Sequence, residues 1–525
     1  MPAKEIAPKA PHDHGLRLWF ISFVSAFLLF GTTTAPDVLM TADSGQYQLW
    51  TFLFPELPLS AKPPDLVRLH LPYYFFSKLF GLIPFGTFAW RINLLSAFCG
   101  ALTVANVVIL TGKLWKYKWS PILAALVLCF GHTLWAFAVA AEILTMMAAC
   151  ITFEMLLWTR YERTRSPAVL LSIALLSGFG TAIHHQIGLN AFVYFSAVVV
   201  LVKRKRIKPA YLITWPAVWC IGSLPDLLVL VHFAVKTHDP LFMFKSYAVG
   251  VFAEDMARVS LTTIRNGLAS LALNYPTGMI LLMLPGTMKL LKAPTNTMLV
   301  RIFLAVLAFH FLFPMTYAVA DQYSFFLPFY ALASVVIGIG ATPWLQRVPL
   351  RLALMALAIL PVSIYFAGPH VFRWMRWGHI SQPAPYHDPN SFFLRPWKHD
   401  ISGQRSYLEE VFKQLPENTA FLSGEKIGYI LKYGQTVEGR RKDILLRVAP
   451  PELIDLLEWD DPDQPARWRR PVYASGPTLV PGYLHVKQHC DFSQEGIVWK
   501  VAPPRNPQAW LREIQPEIEK MKSKM

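Results

Sequence analysis

Charge is scarce in this chain. Asp, Glu, Lys and Arg supply 16% of its 525 residues, against 54% hydrophobic ones, and the mean hydropathy is +0.37. Soluble domains carry about a quarter charged residues, so this composition excludes a soluble globular protein and points to a multi-span membrane protein. Cysteine is equally sparse. Of five, Cys99, Cys129, Cys150 and Cys220 lie inside apolar runs, and only Cys490 lies in the polar C-terminal region. No disulfide can form within that region, and no CxxC or Cys/His spacing marks a zinc site. The chain also lacks a P-loop, a GxSxG elbow and an HExxH helix, which removes the usual signals for nucleotide hydrolysis, serine hydrolysis and zinc proteolysis. No small-residue cleavage site follows the first apolar stretch, so Leu18–Thr34 is expected to be a retained span rather than a signal peptide.

What charge there is has one dominant sign. Lys and Arg number 49 against 33 Asp and Glu, giving a net +16. The basic residues fall in short clusters between apolar runs, not in an interleaved basic and aromatic surface, so nucleic-acid binding is not expected. Such clusters suit loops facing anionic membrane lipid.

A span needs about 20 mostly apolar residues. Eleven stretches qualify loosely: 18–34, 88–112, 119–139, 142–159, 167–183, 187–202, 211–235, 277–291, 299–318, 324–342 and 350–367. Every second connection is basic: Lys113, Lys116 and Lys118; Arg160, Arg163 and Arg165; "KRKRIK" at 203–208; Lys289, Lys292 and Arg301; Arg347 and Arg351. If the 1–17 tail is cytoplasmic, all of these connections are too, and the first loop at 35–87, "AAE", "IHHQ", the 236–276 stretch, "ADQY" and everything after 368 face the other side. From 400 to 505, short β-like runs bounded by Gly, Pro and Asp replace the apolar helices, after a connector at 368–399. The expected architecture is an α-helical polytopic membrane protein of about eleven transmembrane helices. A small C-terminal extracytoplasmic α/β domain follows, then a charged helical tail at 506–525.

The outward-facing connections gather a distinctive set: Asp43, Arg68, His70, Arg91, Glu142, His184, His185, Asp321 and Tyr323. Ionisable residues at span ends are costly and are usually functional or paired. Each also has a plain structural reading. Asp43 or Glu142 could cap a helix, the histidines could sit at the interface, and Arg91 could snorkel to headgroups. Together they suit chemistry at a sugar–phosphate bond. A carboxylate can take the proton of an acceptor hydroxyl attacking an anomeric carbon, and a donor or cation can neutralise the departing phosphate. Asp43 and Glu142 are also the carboxylates that could hold a divalent metal ion.

Several stretches resemble one family in order along the chain: "TADSGQ", "LHLPYYFFSKLFGLIPFGTFAWRINLLSAFCGALTVA", "AEILTMMAA", "GFGTAIHHQIGL", "DQYSFFLPFY" and "GYILKYGQTVEGRRKDILL". They resemble membrane glycosyltransferases of the GT-C superfamily. Within it they are most similar to the protein O-mannosyltransferase-like family, whose signature after the first span is Asp-Ser-Gly-Glu. Gln46 stands here in place of the last acid, and of the His-Pro-Pro-Gly-Tyr-Pro segment only His70 and Pro72 remain clear. The resemblance implies transfer of a sugar, with inversion, from a polyprenyl-phosphate carrier on the extracytoplasmic face of a bacterial inner membrane, or of an endoplasmic reticulum membrane in a eukaryote. It implies Asp43 as base and Glu142 as a second catalytic acid. Arg91, His184, His185, Arg258 and Arg265 are the candidates to meet the carrier phosphate; Gln46, His70, Asp321 and Tyr323 are further site candidates. The implied partners are the lipid-linked donor, a protein Ser or Thr hydroxyl or a glycan, and membrane lipids. The alternatives are transfer to a lipid or envelope glycan of the aminoarabinose or arabinose type, and a polytopic lipid or solute transporter. Asp226, after Pro225 within the 211–235 span, is the residue that suits transport.

Overall fold

The computed structural model describes residues 12–40, 43–56, 69–248, 258–293, 298–379, 386–447, 456–458, 466–476 and 484–522. Arg68, the tail before His12 and residues 249–257 lie outside the described residues. Apolar runs become helices because a helix satisfies its own backbone polar groups where water is absent. The helices are α1 (His12–Thr32), α2 (Ser44–Leu53), α3 (Leu71–Phe80), α4 (Phe88–Leu114), α5 (Trp119–Cys129), α6 (His132–Ala138), α7 (Leu144–Thr164), α8 (Pro167–Ile183), α9 (Gly188–Lys203), α10 (Tyr211–Gly222), α11 (Leu224–Thr237), α12 (Pro240–Ala248), α13 (Leu261–Asn274), α14 (Met283–Lys292), α15 (Met298–Met315), α16 (Leu327–Gly340), α17 (Val348–Ile359) and α18 (Pro361–Trp374).

Helices occupy all eleven predicted stretches. Among the described residues five are long and apolar enough to cross a membrane alone, and the number rises to nine if each bent pair is one span. α7, with Glu154, Arg160, Glu162 and Arg163, and the 17-residue α8 occupy the other two stretches. The bends are large: 64° between α5 and α6, 79° between α10 and α11, 44° between α17 and α18, and 94° between α13 and the 279–292 segment ending in α14. Pro225 and Pro361 sit in the first turn after two of these breaks, where a missing N–H costs nothing.

The long outward connections are themselves helical: α2 and α3 lie within the expected first loop, and α12 and α13 within 236–276. α4 is the hub, packed by α1, α7 and α5. Small residues let backbones approach closely. A Cβ on Gly178 of α8 would lie 2.0 Å from the Trp219 carbonyl oxygen of α10, and one on Gly222 would lie 2.2 Å from that of Leu175. Those two helices are locked face to face at glycine.

After α18 come the short α19 (Pro389–Leu394), α20 (Gly403–Gln414), α21 (Glu425–Thr436), α22 (Leu484–His489) and α23 (Pro507–Lys522). A five-stranded sheet runs in the order β2 (Leu445–Arg447), β1 (Ala420–Leu422), β5 (Val472–Ala474), β7 (Val498–Val501), β6 (Phe492–Glu495). β1 pairs parallel with β2 and β5, and β7 pairs antiparallel with β5 and β6. A separate two-stranded ribbon pairs β3 (Leu457–Glu458) with β4 (Arg467–Trp468).

The sheet domain is tied to the membrane helices. Arg405 of α20 holds Asp37 with Nε–Oδ2 at 2.7 Å and Nη2–Oδ1 at 2.8 Å, and its Nη1 reaches Glu438 Oε2 at 2.9 Å. The Tyr433 hydroxyl accepts from the Ala89 amide at 3.1 Å. The segment before the domain is anchored as well, since Lys398 donates its backbone N–H to Thr33 O at 2.9 Å.

Candidate functional site

A cavity of about 500 Å³ opens where α2, the 139–143 break, the 184–187 turn, the 319–325 turn and the start of α21 converge. Chain direction places it at the end of the bundle opposite the basic loops, because α4 and α7 run away from it and α8 returns to it.

Glu142 sits in the break between α6 and α7. Ser96 of α4 secures its backbone, accepting the Glu142 N–H at 2.9 Å and donating to its C=O at 3.0 Å. Its carboxylate accepts from Ser44 Oγ at 3.1 Å. Glu142 is buried and does not cap α7; the residue preceding that helix is Ile143, with no side-chain cap. Burial, then the charges of Asp43 and Asp321, push its carboxyl well above the usual carboxylate range, against the hydrogen bonds that it accepts. Asp321 is raised for the same reasons, burial first and Asp43 second.

Asp43 occupies the N-cap position of α2 but makes no side-chain capping bond to that helix. The capping explanation of its carboxylate therefore does not hold. Its neighbour Gln46 is 1% exposed, lines the cavity, and has neither carboxamide atom hydrogen-bonded among the described residues. A buried amide without a partner costs on the order of 1–3 kcal/mol, so a ligand that bonds it gains that back. Asn93 holds this loop in place, donating to Ala35 O at 3.0 Å and accepting from Gln48 at 2.9 Å.

His70 and His184 stack with ring centroids 5.7 Å apart, and both line the cavity. The Gln186 N–H donates to His184 Nδ1 at 3.1 Å, so the proton of the neutral ring sits on Nε2. Burial, then His185 and His310, lower this imidazole to about 3. His184 can therefore donate a hydrogen bond but brings no charge at neutral pH, which leaves it the donor and not the cation of the two roles expected of it. His185 also lines the cavity, with Nε2 3.9 Å from Asp226 Oδ2, which accepts from the Tyr247 hydroxyl at 2.7 Å. Asp226 thus belongs to the outer end of the bundle, not to mid-membrane.

Several sequence candidates lie elsewhere. Arg91 lines no part of the cavity; its guanidinium donates to the carbonyls of Gly81, Phe85 and Gly86, at 2.9–3.2 Å, and so clamps the turn after α3. Gly86 takes φ +74°, a conformation only glycine adopts readily, which turns those carbonyls inward. Tyr323 packs against Phe137, with centroids 5.6 Å apart, and against Phe393. Arg258 and Arg265 are exposed and line no part of the cavity. No group of three His, Cys, Asp or Glu side chains among the described residues could hold a metal ion. Asp43 and Glu142 both line the cavity, two carboxylates rather than a three-ligand cluster.

Sequence reasoning missed two features. Lys426, in the first turn of α21, lines the cavity; no local pattern betrays a lysine that reaches the site only when a distant domain docks. The second is a buried chain below the cavity. Asn190 and Tyr194 donate to Glu154 Oε2 at 2.8 and 2.7 Å. Asn190 Oδ1 must then accept from His310 Nε2, at 2.9 Å, leaving His310 Nδ1 to accept from Gln186 at 3.2 Å. The fixed donor direction holds the 184–187 turn against α15 and α7.

Part of the sequence and nearly the whole fold have counterparts among known proteins. Residues 72–208 match the family model for the Protein O-mannosyl-transferase TMEM260 N-terminal domain. The mouse (Mus musculus) Protein O-mannosyl-transferase TMEM260 is 26% identical over 213 residues, 39% of this chain but only 28% of the mouse protein's length. Glu142, His184 and His185 fall within the matched 72–208 segment, and Asp43 precedes it. Among solved structures, ArnT from Cupriavidus metallidurans superposes with a TM-score of 0.56 bound to undecaprenyl phosphate and 0.60 in the apo state. At 13% identity these cover 92% and 93% of this chain and 98% of each ArnT chain. The chain thus has the GT-C membrane fold of ArnT along nearly its whole length, with a segment similar to the N-terminal domain of the O-mannosyltransferase TMEM260.

Proposed function

We propose that this protein transfers a sugar from a polyprenyl-phosphate carrier to a Ser or Thr hydroxyl of a protein, with inversion, in the cavity that Asp43 lines, on the extracytoplasmic face. The observation that carries the reading is the cavity's composition: four acids, Asp43, Glu142, Asp321 and Glu425, with the unpartnered carboxamide of Gln46, at one end of the membrane bundle. Glu142, driven furthest toward its protonated form, serves as a hydrogen-bond donor to the sugar or acceptor. Asp43 is then the carboxylate that takes the acceptor proton. The acceptor oxygen bonds the anomeric carbon as the bond from that carbon to the phosphate oxygen breaks, and the phosphate keeps the electron pair and stays on its lipid. Gln46 bonds a sugar hydroxyl. A site at the membrane boundary suits a donor whose sugar projects from a lipid, and in ArnT the same fold holds undecaprenyl phosphate.

The test supplies the full chain in proteoliposomes with a panel of polyprenyl-phosphate sugars and, separately, Ser/Thr peptides, glycans and lipids. Peptide glycosylation with inverted anomeric configuration is expected. Transfer only to glycan or lipid would replace the acceptor assignment, and no transfer to any acceptor would refute the reading.

A further inference from the structure

The cavity presents a charge problem to its own substrate. A carrier phosphate brings negative charge into a space already lined by the acids Asp43, Asp321 and Glu425, beside a Glu142 that burial drives toward its neutral form. Bringing an anion into such a site is costly unless a cation or several donors meet it. The arginines that sequence suggested cannot help: Arg91 is spent on three backbone carbonyls, and Arg258 and Arg265 lie outside the cavity. His184 is neutral. Among the described lining residues one side chain is a Lys or Arg, and it is Lys426.

Lys426 comes from the C-terminal domain, and the packing that delivers it is specific. α21 lies directly on α2, the helix that begins at Ser44. A Cβ on Gly45 would sit 3.5 Å from Tyr429 Cβ and 3.3 Å from Leu39 O. The Tyr429 ring meets Trp50 edge-on at 6.4 Å. On the buried side of the same helix, Ile427, Ile430 and Leu431 enter the domain core. These contacts hold the start of α21 against α2 at Gly45, two residues beyond Asp43. Lys426 is exposed at the cavity mouth and forms no hydrogen bond or ion pair among the described residues. The charge it faces is Asp321, whose carboxyl it draws down against the stronger effect of burial.

We propose that Lys426 is the cation that meets the carrier phosphate, so that the donor site is complete only while the C-terminal domain is docked on α2. The inference rests on the glycosyl-transfer reading. It makes the domain a wall of the site and not a separate acceptor-binding module.

The experiment measures binding of undecaprenyl phosphate, undecaprenol and inorganic phosphate to the full chain in detergent, for the wild type, Lys426→Gln and Lys426→Arg. The wild type should prefer the phosphorylated lipid to the alcohol. Lys426→Gln should weaken undecaprenyl phosphate about 10–100-fold, the size of one lost charged hydrogen bond, and leave undecaprenol unchanged. Lys426→Arg should restore most of the affinity. If Lys426→Gln keeps the wild-type preference for phosphate, the assignment is wrong while the glycosyl-transfer reading survives. If the wild type itself shows no preference, both fall. Inorganic phosphate competing as well as the lipid would make this a free-anion site and overturn the carrier assignment. Should Lys426→Gln lose undecaprenol as well, Lys426→Arg decides: a failure there to restore phosphate preference overturns the proposal.

Discussion

Arg405 joins Asp37, on the membrane side, to Glu438, on the domain side, and its removal tests whether docking is held electrostatically. Its Nε and Nη2 engage Asp37 at 2.7 and 2.8 Å, and its Nη2 and Nη1 engage Glu438 at 2.5 and 2.9 Å. Side-chain exposures are 20% for Arg405, 16% for Asp37 and 23% for Glu438. The triad is neither dry nor fully solvated. Fully buried pairs cost about 3–5 kcal/mol to break by removing one partner, and exposed ones about 0.2–1. Arg405→Met keeps the stem but leaves two carboxylates facing each other, and should cost about 2 kcal/mol, between those limits. A double-mutant cycle of Arg405→Met with Asp37→Asn, read by denaturant unfolding of the purified chain in detergent, should give a coupling of about 1–2 kcal/mol. Transfer activity should fall with it, because undocking withdraws Lys426. Additive effects within about 0.3 kcal/mol, or a docked and fully active Arg405→Met protein, would refute the reasoning.

Arg91→Ala should lower the unfolding free energy by about 1–3 kcal/mol, for carbonyls left without donors, without weakening undecaprenyl-phosphate binding; a selective loss of phosphate affinity would return Arg91 to the site. Lys398 is buried, with Nζ donating to the carbonyls of Phe392, at 2.8 Å, and Arg395, and burial lowers its amine from 10.5 to about 7. Between pH 7 and about 10 the unfolded chain therefore binds the extra proton, and stability gains about 1.4 kcal/mol per pH unit from this residue. The wild-type curve should rise relative to that of Lys398→Met across this window, and parallel curves would show that the lysine is not desolvated.

Much of the architecture is legible in the sequence because its signals are local. Runs of apolar residues place the helices, and polar interruptions place Asp43, Glu142, His184 and Asp321 where chains turn. The bends are harder to read, since hydropathy is blind to direction; Pro225 and Pro361 mark two of them, but nothing as plain marks the 64° break at Phe130–Gly131. Charge type proved a poor guide to role. Arg91 looks like a phosphate ligand until Gly86 turns its carbonyls inward, and Tyr323 looks like a site residue until Phe137 and Phe393 enclose it. Lys426 could not be assigned from sequence because its place depends on how α21 docks against a helix nearly four hundred residues earlier.

The account turns on Asp43 acting as a base. Asp43→Asn preserves shape, and the side chain makes no capping bond to α2 that the change could break. Single-turnover transfer by the Asn variant, at saturating donor, is the most direct measurement. A loss of about 10²–10⁴-fold is predicted, with undecaprenyl-phosphate affinity unchanged. Transfer at more than about a tenth of the wild-type rate would contradict the assignment.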